Sequence, residues 1–207
     1  LTRFYSVLYY PPVVFAVLTT ALLGLSLGAA TTAWLDRLRN LEHASSGAAM
    51  ASLAMCATLL TNILVSGPVT EVAGWVANFL AFYCAGLVLA TLFSAWSQQS
   101  SRLYAADLIG AGIGALAAVP VLVVLSPPDA MLLAALLTAL AAILFAAKPQ
   151  QALLPLAALG IAALALTIGQ TTGRLDVDLT RLPTDKPVQD QLVAGGRIVA
   201  TDWDGFA

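Results

Sequence analysis

Apolar residues in this chain come in long unbroken runs, not in the alternation of a half-buried strand or the single stripe of a water-soluble helix. Six such runs are long enough to cross a hydrocarbon core of about 30 Å as helices. They lie at 13–35, 47–65, 72–96, 103–125, 129–147 and 152–169. The punctuation between them is short. Pro11 and Pro12 precede the first run, where missing amide donors matter little at a helix start. Ser66-Gly67-Pro68 is a turn signal between the second and third. Pro127-Pro128-Asp129 and Lys148-Pro149-Gln150-Gln151 are so brief that spans four to six are expected to be antiparallel neighbours. Pro120 falls inside the fourth run, removes one helical hydrogen bond and predicts a kink there.

The two ends have a different texture. Leu1–Tyr10 is aromatic, with Phe4, Tyr5, Tyr9 and Tyr10 beside Arg3, and reads either as an interfacial belt or as the end of an earlier helix. From Gly173 the chain turns polar: Arg174–Ala207 holds four basic and six acidic residues, Pro183 and Pro187, and a strand-like stretch at Arg197–Thr201. The expected organisation is an interfacial segment or helix end at 1–12, a transmembrane helical domain at 13–170, and a soluble linker at 171–207. The first residue is Leu1 and the last stretch, Asp202–Ala207, carries no terminating feature. Both fit a piece of a longer product with a further domain downstream.

Composition sharpens the fold class. Hydrophobic residues make up 60% of the 207 and charged residues 10%, against about a quarter charged in a soluble domain. Mean hydropathy is +0.90. The expectation is an all-α polytopic membrane protein, a bundle of about six transmembrane helices with short loops and a polar tail. Its first partner is the lipid bilayer. A net charge of −2 with scattered basic residues gives no nucleic-acid footprint. Arg37 and Arg39 fall between spans one and two, Arg102 between three and four, and Lys148 between five and six, while loops 66–71 and 126–128 have no Lys or Arg. The positive-inside rule then puts the basic loops in the cytoplasm and the tail outside.

Familiar chemistry is missing. The sole histidine, His43, sits beside Glu42 in a charged loop, so no span offers an imidazole to a haem. Cys56 and Cys84 lie in apolar runs with no C-x-x-C spacing and read as small buried hydrophobes. There is no zinc spacing and no phosphate loop, and Gly110-Ala111-Gly112-Ile113-Gly114 lacks the dinucleotide spacing. Catalytic, cofactor-binding and metal residues are therefore all expected to be none within this chain.

What remains is a set of intramembrane polar and packing candidates. Asp107 leads, because a carboxylate in a bilayer costs a few kcal/mol and normally has a partner or a task. It shares a broad helix face with Tyr104 and Gly114 and lies five residues after Arg102. The plainer reading is an interface-end carboxylate paired with Arg102 or capping a neighbouring helix. The sharper one is a hydrogen-bonding hub or a contact for a proton or substrate. Gly110 and Gly114 form G-x-x-x-G, as do Gly24 and Gly28, and Ala106 extends the first stripe. Such spacing lets another helix backbone approach closely. The expectation is contact inside the domain, with homo-oligomerisation or docking to other membrane subunits as the alternative. Asn62 and Asn78 read as interhelical hydrogen-bonding groups, and Glu71 as a residue facing water before span three.

Arg102-Leu-Tyr-Ala-Ala-Asp-Leu-Ile-Gly-Ala-Gly-Ile-Gly114 resembles the pattern (R)-hydrophobic-Y-x-x-D-L-x-G-A-x-x-G of bacterial membrane-embedded spermidine synthase-like proteins. In those proteins a multi-span region is fused to an aminopropyltransferase-like fold. Arg3–Tyr10 is similar to the family's aromatic lead-in, Ala21–Gly28 to its A-L-L-G-x-x-x-G helix, and Phe82–Leu89 to its F-F-x-A-G-L helix. Thr201–Ala207 resembles the short W-(N/D)-x-F-(S/A) stretch before the soluble domain. Ala81 stands where the family often has proline, and Pro11-Pro12 replace a more usual Tyr-His. The resemblance implies a multi-pass protein of the bacterial inner (cytoplasmic) membrane. It also implies that any aminopropyltransferase-like activity belongs to a downstream domain. A nucleotide-derived donor would place that domain in the cytoplasm, whereas the loop charges send the tail outside.

Three functions follow in order. The first is the membrane anchor and scaffold domain of a spermidine synthase-like protein. The second is a structural or accessory subunit of a larger membrane complex. The third is a transporter component, weakened by the scarcity of intramembrane polar groups.

Overall fold

The computed structural model describes residues 11–64 and 68–172, with side chains described from Phe15 to Ile63 and from Val72 to Thr172. The aromatic lead-in, most of the Ser66–Pro68 turn, the side chain of Glu71, the strand-like Arg197–Thr201 and the rest of the tail lie outside the described residues. Among the described residues there are six long helices: α1 (Pro11–Trp34), α2 (Glu42–Leu64), α3 (Pro68–Ala95), α4 (Ser100–Val124), α5 (Pro127–Leu144) and α6 (Leu153–Thr172). All six are long and apolar enough to cross a membrane. The chain is an all-α, multi-pass helical bundle. Short 3₁₀ turns at Asp36–Arg39, Ser97–Gln99 and Pro149–Ala152 link α1 to α2, α3 to α4 and α5 to α6.

Small residues decide how the helices meet. The buried positions of α1 are Val17, Ala21, Gly24, Gly28 and Thr32, a narrow seam at intervals of three and four. That seam lies against α3, its main neighbour. A side chain on Gly24 would place its Cβ 2.7 Å from the carbonyl oxygen of Phe79 and 3.1 Å from the amide of Tyr83. One on Gly28 would run into the Tyr83 carbonyl, and one on Gly86 into the Leu25 carbonyl. The backbones of α1 and α3 approach so closely that only hydrogen fits.

Helix α2 is the hub. It packs on α3, α5 and α6, and both hydrophobic cores include it. One gathers Val17, Cys56, Leu59, Met131, Leu132, Ala135 and Ala162. The other gathers Ala48, Ala49, Val88, Ala139, Ala142 and Ala158. Alanine dominates, as close helix packing in lipid favours.

Helix α4 stands apart. Alone among the six long helices it buries no residue, and it touches the bundle chiefly through a small contact with α5. The short hairpins therefore do not make spans four to six a packed trio: α5 and α6 pack together, whereas α4 diverges. The helix runs through Pro120 as far as Val124.

Candidate functional site

The two glycine motifs separate in the structure. Gly24 and Gly28 occupy the α1–α3 crossing expected of them. Gly110 and Gly114 do not: a Cβ on either, or on Gly112, would meet nothing within 4 Å. Internal packing, the expectation for the α4 glycines, is corrected here. Residue type cannot tell a small residue that admits a neighbour from one whose neighbour is absent.

Asp107 and Tyr104 are exposed on the same helix. The expected Arg102 partner is also corrected, since no ion pair joins them. Among the described residues the ion pairs are Arg39 with Asp36 at 3.1 Å and Lys148 with Glu42 at 2.6 Å. Five residues place Arg102 about 140° around the axis from Asp107, towards the far side of the helix. Depth changes too. Helix α4 begins at Ser100, so Asp107 lies two turns in, about 10 Å along the axis, rather than near its first turn.

The face bearing Asp107 has a definite neighbour. Gly114 is seven residues on, nearly two full turns, so the two differ by only about 20° around the axis. Gly114, Ala117, Ala118, Val121 and Leu122 form one wall of a cavity of about 450 Å³. Pro127, Ala130, Met131, Leu133, Ala134 and Leu137 of α5 form the other wall, with Met55 of α2 at its base. The cavity lies between α4 and α5 near their hairpin. Asp107 lies farther along the same α4 face.

The remaining candidates fall inside the bundle. Asn62 donates from Nδ2 to the Thr58 carbonyl at 2.6 Å. It also covers Gly74, whose missing Cβ would come within 2.6 Å of that nitrogen. Asn78 is 1% exposed, yet neither Oδ1 nor Nδ2 meets a hydrogen-bond partner. The expected interhelical bond from Asn78 is not formed.

Sequence reasoning passed over the residues that carry the polar structure of the bundle. Ser45 and Ser52, seven residues apart on α2, donate to the carbonyls of Ala142 and Ala135 on α5 at 2.8 and 2.7 Å. Thr91 of α3 donates to the Leu38 carbonyl at 2.8 Å, and Tyr83 to the hydroxyl of Thr31 at 3.2 Å. Asp129 is 7% exposed at the start of α5. Its Oδ2 accepts from the Ser126 hydroxyl at 3.0 Å and from Nε2 of Gln170, near the end of α6, at 2.6 Å. The available signal was Ser126-Pro127-Pro128-Asp129, a serine cap followed three residues later by an acid.

The arrangement gives the bundle two polar ends. Lys148 and Glu42 join the α5–α6 connection to the start of α2 at one, and Asp129 and Gln170 tie α5 to α6 at the other. Among the described residues no group of three His, Cys, Asp or Glu side chains is placed to hold a metal ion. No family model, curated protein or solved structure matches the chain.

Proposed function

We propose that the chain is the membrane anchor and scaffold domain of a spermidine synthase-like protein in the bacterial cytoplasmic membrane. Aminopropyltransferase-like chemistry would then belong to a domain beyond Ala207. One observation carries the scaffold reading. Ser45 and Ser52 bond α2 to α5, Thr91 bonds α3 to the α1–α2 connection, and Asp129 bonds α5 to α6. These buried polar groups are thus committed to holding elements together, and the α4–α5 cavity is walled by apolar side chains. The family assignment draws on the spacing of Arg102, Tyr104, Asp107 and Gly110. Reading the coding frame past Ala207 tests it. An α/β domain with a glycine-rich nucleotide loop after a strand is expected, and a frame ending shortly after Ala207 refutes the family.

A second reading, an accessory subunit of a larger membrane complex, is favoured by α4. A transmembrane helix that buries no residue and touches its own bundle chiefly through a small contact with α5 leaves most of its surface for other chains. Extraction in mild detergent tests this, with co-migration alongside other subunits expected. Migration as a monomer alone argues against it.

A further inference from the structure

We infer that the groove between α4 and α5 seats a transmembrane helix of another protein, and that this helix carries a lysine or arginine paired with Asp107. The inference deepens the accessory-subunit reading and rests on it.

Two properties of the groove select this occupant. The first is shape. The α4 face that carries Asp107 runs through Gly110 and Gly114 to Ala118, of which Gly114 and Ala118 line the cavity, and a Cβ on either glycine would meet nothing within 4 Å. Small side chains in that order let a helix backbone come close, whereas a lipid acyl chain gains nothing particular from glycine. The opposite wall offers Ala130, Ala134 and Leu137, spaced at four and three residues as a second helix ridge requires.

The second property is charge. Asp107 lies on the same α4 face, nearly two turns beyond Gly114 of the cavity and two turns inside α4, and a carboxylate at membrane depth is stabilised by a cation or by proton donors. The described part of this chain supplies neither to it. Arg39 and Lys148 are engaged by Asp36 and Glu42, Arg37 lies in the α1–α2 turn outside the spans, and Arg102 is turned away around the helix. No described span of the chain carries a Lys or Arg deeper than Arg102. A second copy set with its α4 against this one would bring carboxylate to carboxylate, and like charges repel. A foreign helix with one basic residue at the matching depth satisfies both walls and the charge.

The test uses the full chain, donor-labelled and reconstituted in phosphatidylcholine vesicles. Acceptor-labelled synthetic transmembrane peptides of about 24 leucines and alanines are added by co-reconstitution, a length that spans the core. One peptide has a single lysine seven residues from an end and the other has leucine there. Energy transfer should report at least tenfold tighter association of the lysine peptide. Asp107→Asn should abolish that preference. Gly114→Leu should block both peptides, and the fold should tolerate it, because its Cβ meets nothing within 4 Å and the cavity of about 450 Å³ beside it can take the rest of the side chain. Equal affinity for the two peptides, or a preference that survives Asp107→Asn, overturns the inference. So does an absence of peptide association, which leaves the groove to lipid. Self-association of the chain through Gly114 that persists in Asp107→Asn overturns it in favour of a second copy. Binding of the lysine peptide by a chain extracted from its own membrane only as a monomer would instead refute the accessory-subunit reading and leave the seat intact.

Discussion

Alanine at Gly24 and alanine at Gly114 should have opposite consequences, although both glycines occupy G-x-x-x-G in apolar helices. At Gly24 the new Cβ would lie 2.7 Å from the Phe79 carbonyl oxygen, 3.1 Å from the Tyr83 amide and 3.2 Å from the Phe82 Cβ. Restoring an ordinary 3.4 Å contact to the first atom requires α1 and α3 to part by 3.4 − 2.7, or 0.7 Å. Two of those three atoms are backbone, so no rotamer change relieves the clash. The separation must propagate along the seam from Val17 to Thr32. Overpacking of a close-packed contact costs roughly 1–3 kcal/mol. Replacing helical glycine by alanine returns up to about 1 kcal/mol through propensity, but Gly114→Ala receives the same gain with no clash. The difference between the variants should therefore be about 1–3 kcal/mol. At roughly 3 °C for each kcal/mol in a chain of this size, Gly24→Ala should unfold about 3–9 °C below Gly114→Ala. Thermal unfolding in mild detergent can be followed with a maleimide dye that fluoresces on reacting with Cys56 and Cys84, both buried and unpaired. Equal midpoints, or a lower midpoint for Gly114→Ala, would refute the assignment of α1 and α4 to different packing roles.

Three further variants probe the polar interior in the same assay. Ser52→Ala removes a 2.7 Å bond from α2 to α5, but interhelical bonds in membranes average only about 0.6 kcal/mol. A small drop of that order is expected, and a loss above about 2 kcal/mol would mean that Ser52 does more than bridge. Asn78→Leu removes a buried amide with no hydrogen-bond partner, whose desolvation costs about 1–3 kcal/mol. A raised midpoint is expected, and a clear fall would show that the amide is satisfied in the folded protein. Asp129→Ala deletes the acceptor shared by Ser126 and Gln170 and should destabilise by about 1.5–3 kcal/mol, as for bonds to a charged group. An unchanged midpoint would remove Asp129 from the α5–α6 tie.

The spans were legible because crossing a hydrocarbon core forces long apolar helices, and length with hydropathy reports that requirement directly. Which helices touch was far less legible. In water an amphipathic stripe marks the buried side, but in lipid the outside of a helix is as apolar as the inside. Leu22 and Leu27 of α1 are exposed while Gly24 and Gly28 beside them are buried, so burial here follows size rather than hydrophobicity. The short α4–α5 hairpin suggested antiparallel neighbours, yet a tight turn fixes only where two helices meet and not the angle at which they separate. Ser45 and Ser52 escaped notice for a related reason. A hydroxyl in an apolar helix usually bonds its own turn, as Thr58 does to Ala54. Only the placement of α5 turns those two serines into bridges.

The carboxylates of α4 and α5 make the same distinction in electrostatic form. Asp107 is flanked by alanine and leucine in mid-helix and drew attention as the costlier charge. Asp129 follows two prolines at a helix start and drew none. In the fold their standing reverses. Asp129 is buried, accepts from Ser126 and Gln170, and lies in the first turn of α5, where the positive end of the helix dipole also favours an anion. Its charge is accommodated within the chain. Asp107 is exposed, two turns from the dipole end, on a face where a Cβ added at Gly110 or Gly114 would meet nothing within 4 Å. Dipole effects fade after the first turn, so α4 itself contributes little to holding that charge. An intramembrane acid accommodated internally is a structural residue. On the accessory-subunit reading proposed above, one left open on a helix that packs against almost nothing would be completed by a partner outside the bundle, and α4 is where that partner should be sought.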